Sequence, residues 1–280
     1  MKRLFFLLLI SLALSVSSFA QTTQPSSKSS KSSKGATFKK KSLTQSCDSP
    51  SFPATDKKPP DSLCGLTGSG GAEAAQNTSK NNFCASGDPE AEDFTKLKDL
   101  QTQVENASGI NWGNKNTPDH KRGPTTDRAP LQAMGEDKLV LLKAFVLIAR
   151  QEGAESVNCG ANAPNKPVYH DIHISLVPTG DETDECNSVV AEMSPHHRPA
   201  EWTAANLMKL AKAHTPVRVT GHLFFDSSHV PCADGQPVPS NPKRFSLWEI
   251  HPIYKFEVCT GNCDGDGTYV DLVDWVNSNQ

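Results

Sequence analysis

Five segments in the C-terminal half of the chain have the apolar patterning of β-strands. In chain order they cover residues 138–151, 170–178, 188–194, 216–226 and 246–258. Between the third and fourth lies PAEWTAANLMKLAKAH (199–214), which starts with proline and contains no internal breaker, so it predicts a helix. We therefore expect a mainly β domain with α elements over residues 136–280.

This order of elements resembles that of the OB-fold, a small five-stranded Greek-key barrel with a helix between strands three and four. The resemblance covers residues 136–260 and rests on element order and on Gly221, which predicts a bend inside a strand. It implies an antiparallel barrel whose ligand face lies between two long connections, residues 151–168 and 227–245. Another small antiparallel barrel or sandwich is the alternative. The whole chain also resembles uncharacterised secreted bacterial proteins, which implies no activity.

The first 20 residues, MKRLFFLLLISLALSVSSFA, have the pattern of a secretory signal peptide. Two basic residues precede an apolar run that is too short to cross a bilayer comfortably, and small residues end it. An uncleaved membrane anchor is the alternative, and the lack of a stop-transfer flank disfavours it. We expect a secreted or periplasmic protein with no transmembrane segment after cleavage.

Two regions separate this signal peptide from the β domain. Residues 21–46 are rich in Ser and Lys and contain no acidic residue, which predicts a disordered linker. Attachment of its lysines to an anionic envelope surface is the alternative. Residues 47–135 are rich in loop-forming residues, and we expect one helix near residues 89–107, capped by Asp88.

Eight cysteines follow the signal peptide. They are Cys47, Cys64, Cys84, Cys159, Cys186, Cys232, Cys259 and Cys263. An even number in an exported chain predicts disulfide bonds, with a thiolate zinc site as the alternative. The absence of a CxxC pair favours disulfides, although eight cysteines allow about 105 pairings.

The charge of the β domain disfavours nucleic acid as a partner. Residues 136–280 contain 19 Asp and Glu against 11 Lys and Arg, a formal charge of −8. Contact with a phosphate backbone needs a basic groove, and only a local patch from Arg218, Lys243 and Arg244 would supply one. We therefore expect a glycan, a protein or a cell-envelope component as the partner.

Polar residues on the second, third and fourth strand segments, and just after the third, form the candidate binding surface. The candidates are Asp171, His173, Glu192, His196, His197, Arg198, Arg218 and His222. Period-two alternation places several of them on faces opposite the apolar ones. The alternative is that these histidines are surface or loop-anchoring groups.

The last strand segment, RFSLWEIHPIYKFEV (244–258), sets Trp248 and Ile250 toward the core. Its other face is expected to carry Glu249, His251 and Ile253. The proline after His251 lacks an N–H, so we expect the strand to bend there.

A divalent metal is the cofactor that these side chains would suit, because two imidazoles and a carboxylate fit zinc, iron or copper. The candidate ligands are His173, His196, Glu249 and His251. No HExxH, GxSxG or Walker motif accompanies them. We therefore expect a non-catalytic binding or envelope-associated protein without a cofactor; the alternative is a metal-dependent, nuclease-like hydrolase.

Overall fold

The computed structural model describes residues 65–85, 87–112, 123, 125–160, 166–233, 239, 241–265 and 267–280. The expected signal peptide, the Ser/Lys-rich linker, Cys47 and Cys64 lie outside these residues. Within the described part, no helix is long and apolar enough to cross a membrane.

Within the described residues, seven strands form one sheet, and five of them close into a barrel. They are β1 (Glu90–Glu92), β2 (Leu139–Gln151), β3 (Ile172–Val177), β4 (Val189–Met193), β5 (Pro216–Phe225), β6 (Trp248–Cys259) and β7 (Tyr269–Asp271). The barrel order is β2-β3-β4-β6-β5, and β5 pairs back onto β2. The prediction of a mainly β domain built on a five-stranded barrel is confirmed.

The expected antiparallel barrel is wrong in one respect, because β4 and β6 run parallel. All other neighbours in the ring are antiparallel. A closed ring with an odd number of strands cannot alternate direction all the way round, so one pair must be parallel. The resulting mixed barrel is consistent with an OB-like fold.

The part of the chain that the structure describes contains five α-helices. They are α1 (Ala74–Lys80), α2 (Phe94–Glu105), α3 (Ala129–Met134), α4 (Ala204–Lys212) and α5 (Leu272–Ser278). Helix α4 lies between β4 and β5, and the Thr203 side chain accepts a hydrogen bond from the Asn206 amide at its start.

Helix α2 begins later than the sequence suggested. Asp93, not Asp88, caps it, and the Asp93 carboxylate accepts the Lys96 amide at 2.9 Å. The preceding residues instead form β1, which pairs parallel with the first half of β2. The extended backbone of this edge strand excludes a helix start at Asp88.

The interior of the barrel is filled by apolar side chains from all five strands, as expected for a small barrel. Gly221 lies where β5 comes closest to β6. A Cβ at this position would lie 2.5 Å from Ile250 Cγ2 and 2.5 Å from the Pro252 carbonyl oxygen. Glycine is therefore required by the close approach of the two strands.

Strand β6 does not keep strict alternation through Pro252. Gly221 is paired with Ile253 and Leu223 with Ile250, so the register shifts on both sides of Gly221. The expectation that Ile253 shares the outer face with Glu249 is wrong: Ile253 is fully buried in the hydrophobic core. Pro252 cannot donate to the ladder, and the resulting irregularity turns the next side chain inward.

All six cysteines within the described residues are in disulfides. Cys186 pairs with Cys232, which joins the start of β4 to the connection after β5. Cys259 pairs with Cys263 and closes the turn after β6. Cys84 and Cys159 are disulfide-bonded as well. None of these six thiols is left as a zinc ligand.

Candidate functional site

The outer face of β3, β4 and β6 is buried rather than open to solvent. His173, Glu192, Glu249 and His251 are each less than 5% exposed. Residues 65–85, which include α1, lie over this face: the Tyr254 hydroxyl donates to the Asn82 carbonyl at 2.7 Å. A strand face expected to meet water or a nearby loop is therefore enclosed between the barrel and a covering segment.

His173 lies at the centre of this enclosed face. It is the cross-strand partner of Glu192, so the two side chains leave the sheet side by side. His173 Nε2 lies 3.0 Å from Glu155 Oε1 and 3.1 Å from Glu192 Oε1. Its other nitrogen, Nδ1, lies 3.7 Å from Glu152 Oε1. Two carboxylates therefore converge on one ring nitrogen.

Glu192 connects this group to a second layer of charges. Its other oxygen, Oε2, lies 3.5 Å from His251 Nε2 and 3.6 Å from Lys80 Nζ. Lys80 also lies 3.2 Å from Asp226 Oδ2. The result is a continuous buried network of acids and bases that crosses from the barrel to α1.

Asp226 and Glu249 extend the network beneath the connection after β5. The Asp226 carboxylate lies 2.9 Å from His229 Nδ1, and the Arg244 guanidinium is paired with Glu249. Arg244 and Glu249 are both fully buried. A buried ion pair is costly to assemble and very costly to break on one side, so these partners depend on each other.

Several polar atoms in this network have no hydrogen-bond partner within the described residues. They are Asp171 Oδ1, His173 Nδ1 and Nε2, both oxygens of Glu192, Glu249 Oε2 and His251 Nδ1. The short contacts of His173 Nε2 thus lack hydrogen-bond alignment. Each buried group left unsatisfied costs about 1–3 kcal/mol, so a concentration of them indicates a place for a ligand.

Burial and neighbouring charges shift the pKa values of His173, Glu192 and Asp171. Burial alone would lower the pKa of His173, but the carboxylates of Glu192 and Glu155 raise it to about 9. Burial opposes ionisation of Glu192 as well, yet His173 and Lys80 hold its pKa below the usual range. Burial, with Glu155 and Glu192 nearby, raises the pKa of Asp171 well above its usual value.

His251 has the opposite character. Burial dominates there and lowers the pKa of His251 to about 3, despite the nearby Glu192. The pKa values of the two buried imidazoles are therefore shifted in opposite directions. Neighbouring groups pushed in opposite directions are typical of functional sites, although structural ion-pair networks also produce them.

A cleft of about 240 Å³ leads from the surface to His173. Its walls come from residues 73–80, from residues 152–157 after β2, and from residues 226–229 and 241–242 after β5. Its charged lining residues are Glu73, Lys80, Glu152, Glu155, His173, Asp226 and His229. Carboxylates outnumber the cationic groups, so the cleft favours a positively charged occupant.

Three of the predicted binding residues, Asp171, His173 and Glu192, are brought together with Glu155. The Asp171 carboxylate also accepts the Asn158 side-chain amide at 2.8 Å. Of these three residues, His173 is the one that lines the cleft.

The remaining predicted binding residues take part in structural contacts. Arg198 donates to the backbone carbonyls of His170 at 2.6 Å and Pro167 at 2.8 Å. Arg218 pairs with Glu257 at 3.0 Å and lies over the Tyr269 ring. These contacts occupy both guanidinium groups, and neither arginine lines the cleft.

The predicted histidines outside the cluster also have local partners. His222 Nε2 lies 2.8 Å from Asp137 Oδ1, and its Nδ1 lies 2.9 Å from the His251 carbonyl oxygen. His196 and His197 pack edge-on against the Phe83 ring. These contacts hold the covering segment and its neighbours onto the barrel.

The four predicted metal ligands do not form one group among the described residues. His173 lies with Glu155, Asp171 and Glu192, whereas Glu249 and His251 lie with Glu192 in a second group. A third group contains Asp226, His229 and Glu249. His196 is in none of the three, because its short 3-10 turn (Pro195–His197) directs it toward Phe83.

Sequence reasoning missed Lys80 and Glu155, and it did not connect Asp226 with His229. Lys80 and Glu155 lie in non-repetitive regions where no periodicity marks a functional face. Asp226 directly follows β5 and is three residues from His229. That spacing is the feature of the sequence that could have predicted their contact.

Comparison with known proteins adds little to this geometry. No protein-family model matches the chain, and no match was found among curated proteins. Among solved structures, the chain is similar to a "putative aspartyl-tRNA synthetase" from Leishmania major Friedlin, with 11% identity and a TM-score of 0.24. The match covers 63% of this chain and 22% of that one, and a likeness this weak carries no conclusion about activity.

Proposed function

We propose that this chain is an exported, disulfide-stabilised binding protein without catalysis, which holds a small cationic ligand in the cleft above His173. The observation that carries the proposal is a cleft whose charged lining contains more carboxylates than cationic groups and whose floor is a buried set of unsatisfied polar atoms. Small-molecule sites combine concavity with a few converging polar groups, and this cleft has both.

The position of the cleft on the barrel supports the proposal. In an OB-like barrel the second and third strands and the two long connections form the usual ligand face. Here the matching elements are β3, β4, and the connections after β2 and β5, which all contribute to the cleft or its floor. Function by fold analogy is associational, so the charge of the cleft carries the ligand class.

The disulfides support the exported setting. Disulfides persist in oxidising compartments, and the six described cysteines are all bonded. Together with the signal-peptide pattern at residues 1–20, they favour a secreted or periplasmic protein. The likeness to uncharacterised secreted bacterial proteins is part of the same proposal.

Calorimetric titration of the mature chain, residues 21–280 and free of a His-tag, tests the binding proposal. The probes are Zn²⁺, Mn²⁺ and putrescine, each titrated separately after treatment with chelator. At least one should bind, and the double variant Glu73→Gln/Glu152→Gln should weaken putrescine binding at least threefold if putrescine is the ligand. Asp99→Asn, on the exposed face of α2, is the matched control that removes a carboxylate outside the cleft. Absence of binding by all three probes would contradict the proposal.

A metal-dependent hydrolase is the second candidate, favoured by the three His and carboxylate groups at the floor of the cleft. A metal requirement separates the two candidates. Hydrolysis of bis(p-nitrophenyl) phosphate that depends on added Zn²⁺ or Mn²⁺ and disappears in His173→Gln would support the hydrolase. Metal binding without such hydrolysis would leave the binding protein as the better description.

Association with the cell envelope is the remaining part of the proposal, and its partner would be an envelope polymer, a glycan or a protein. It concerns the Lys-rich residues 21–46. Deleting them should move the protein from the envelope fraction to the soluble fraction. An unchanged distribution between the two fractions would contradict this role for the segment.

A further inference from the structure

We infer that Glu155, His173 and Glu192 form a binding site for a divalent transition-metal ion. The inference rests on the proposed binding function and names the cation that the cleft takes. Its basis is the convergence of Glu155 Oε1 and Glu192 Oε1 on His173 Nε2, at 3.0 and 3.1 Å.

The separations of these three atoms suit a shared ion. Metal–ligand bonds of about 2.1 Å place neighbouring ligand atoms about 3.0 Å apart in octahedral geometry and about 3.4 Å apart in tetrahedral geometry. Both distances to His173 Nε2 lie close to this range. The oxygen atoms of the group lie within 4.8 Å of one another as well, so one ion can reach all three residues.

A second, independent observation is that several of these ligand atoms lack hydrogen-bond partners. Glu192 is fully buried and neither of its oxygens has a hydrogen-bond partner in the described part of the chain. His173 is 4% exposed, and its Nε2 is unsatisfied too. A coordinated ion would take the place of a proton on Nε2 and would satisfy Nε2 and Oε1 at once.

Asp171 is available as a fourth ligand. It is fully buried, its Oδ1 is unsatisfied, and its ligand atom lies within 4.8 Å of those of the other three residues. One imidazole with several carboxylates is a set that zinc, iron and manganese accept, whereas calcium and magnesium prefer oxygen alone. This donor set favours a transition metal.

The charged side chains of Lys80 and Glu152 lie next to the proposed ligands but leave the ligand atoms free to bind an ion. Lys80 lies against Glu192 Oε2, which leaves Oε1 directed at His173. Glu152 lies 3.7 Å from His173 Nδ1, on the side of the ring away from the proposed ion. Its negative charge favours a cation nearby, although the distance is too long for a hydrogen bond to Nδ1.

An ion has a route to the site, because Glu155 and His173 both line the cleft. Glu155 is 24% exposed and lies on the connection after β2. It is thus the ligand that an incoming ion meets first, and it can be replaced with little risk to the fold.

Competition titration of Zn²⁺ and Mn²⁺ against a chromophoric chelator tests the site on the oxidised, tag-free mature chain. We expect near-stoichiometric binding in the parent protein and at least a tenfold loss of affinity in Glu155→Gln. Asp99→Asn, on the exposed face of α2, removes a carboxylate outside the cleft and should stay within about threefold of the parent.

A spectroscopic measurement covers the buried ligands, whose variants risk unfolding. Co²⁺ substituted into the parent should give visible bands that show nitrogen and oxygen ligation, and Glu155→Gln should change them. The inference is overturned if metal binds equally well to Glu155→Gln, or if only putrescine binds. If only putrescine binds, the proposed binding function stands without the metal site. If the parent protein binds neither metal nor putrescine, the proposed function and the metal site are both wrong.

Discussion

Lys80 is the residue on which the buried network depends most. Its ammonium group lies between Glu192 and Asp226, and it is brought there by α1. Burial would lower the pKa of Lys80, yet the two carboxylates raise it above its usual value, so the group stays charged. One side chain of the covering segment thus neutralises acids on β4 and after β5.

Replacing Lys80 by methionine should lower the free energy of unfolding by about 3–5 kcal/mol, because two buried carboxylates lose their shared cation. Urea denaturation followed by tryptophan fluorescence measures the change. Lys98→Met, on the exposed face of α2, is the matched control and should change stability by less than about 0.5 kcal/mol. Equal effects of the two substitutions would mean that Lys80 contributes no specific pairing.

Asp137 gives the protein an acid-dependent stability. The hydrogen bond from His222 lowers the pKa of Asp137 to about 2, against an ordinary value of 3.8. A lowered pKa stabilises the fold above pH 4, and that contribution is lost as the pH falls from 4 through 2. Because the side chain is one-third exposed, we expect about 1 kcal/mol after allowing for solvent screening.

The variant Asp137→Asn isolates this contribution. Asn is suited to the positive φ of 74° at this position and cannot titrate. Unfolding free energies measured between pH 5 and pH 2 should fall about 1 kcal/mol more in the parent than in the variant. Parallel pH profiles would show that the pairing with His222 makes no difference to folding.

At the scale of elements, the order of strands and the place of α4 could be predicted because both are encoded locally. Alternation along β3 and β4 also placed His173 and Glu192 on one face, and the two are cross-strand partners. Alternation failed in β6, where Pro252 breaks the ladder and turns Ile253 into the core. The covering role of α1 left no periodic signal, so the burial of the polar face was not foreseen.

The contact of β5 with β6 makes Gly221 a sensitive position. Gly221→Ala should destabilise the protein by about 1–3 kcal/mol, because the added methyl group overlaps Ile250 and the Pro252 carbonyl. Gly153→Ala is the matched control, since a Cβ there meets open space. Thermal unfolding of both variants should show a clear loss only for the first; tolerance of Gly221→Ala would mean that the strands can separate at little cost.

At the scale of the whole molecule, the two described disulfides constrain very different lengths of chain. Cys186 and Cys232 are 46 residues apart, whereas Cys259 and Cys263 are 4 apart. The loop-entropy relation gives about 4 kcal/mol for the longer loop and about 2 kcal/mol for the shorter one. The longer one also ties β4 to the connection that borders the cleft.

Paired Cys→Ser variants test this difference. Removing Cys186–Cys232 should lower the free energy of unfolding about twice as much as removing Cys259–Cys263. Guanidinium denaturation under non-reducing conditions gives both values, and each double variant serves as the control for the other. A larger loss from the five-residue turn would indicate that local geometry, not loop length, governs the effect.

The single parallel pairing of the barrel has a mechanical consequence. Ala191 and Ile250 are the one registered pair between β4 and β6, whereas the antiparallel joints carry between five and eight. Side-chain contacts across this joint therefore supplement its few backbone hydrogen bonds, and the approach of Glu192 to His251 is one such contact. A cation bound by Glu192 would lie beside this joint, so local opening of the barrel between β4 and β6 would depend on whether the cleft is occupied.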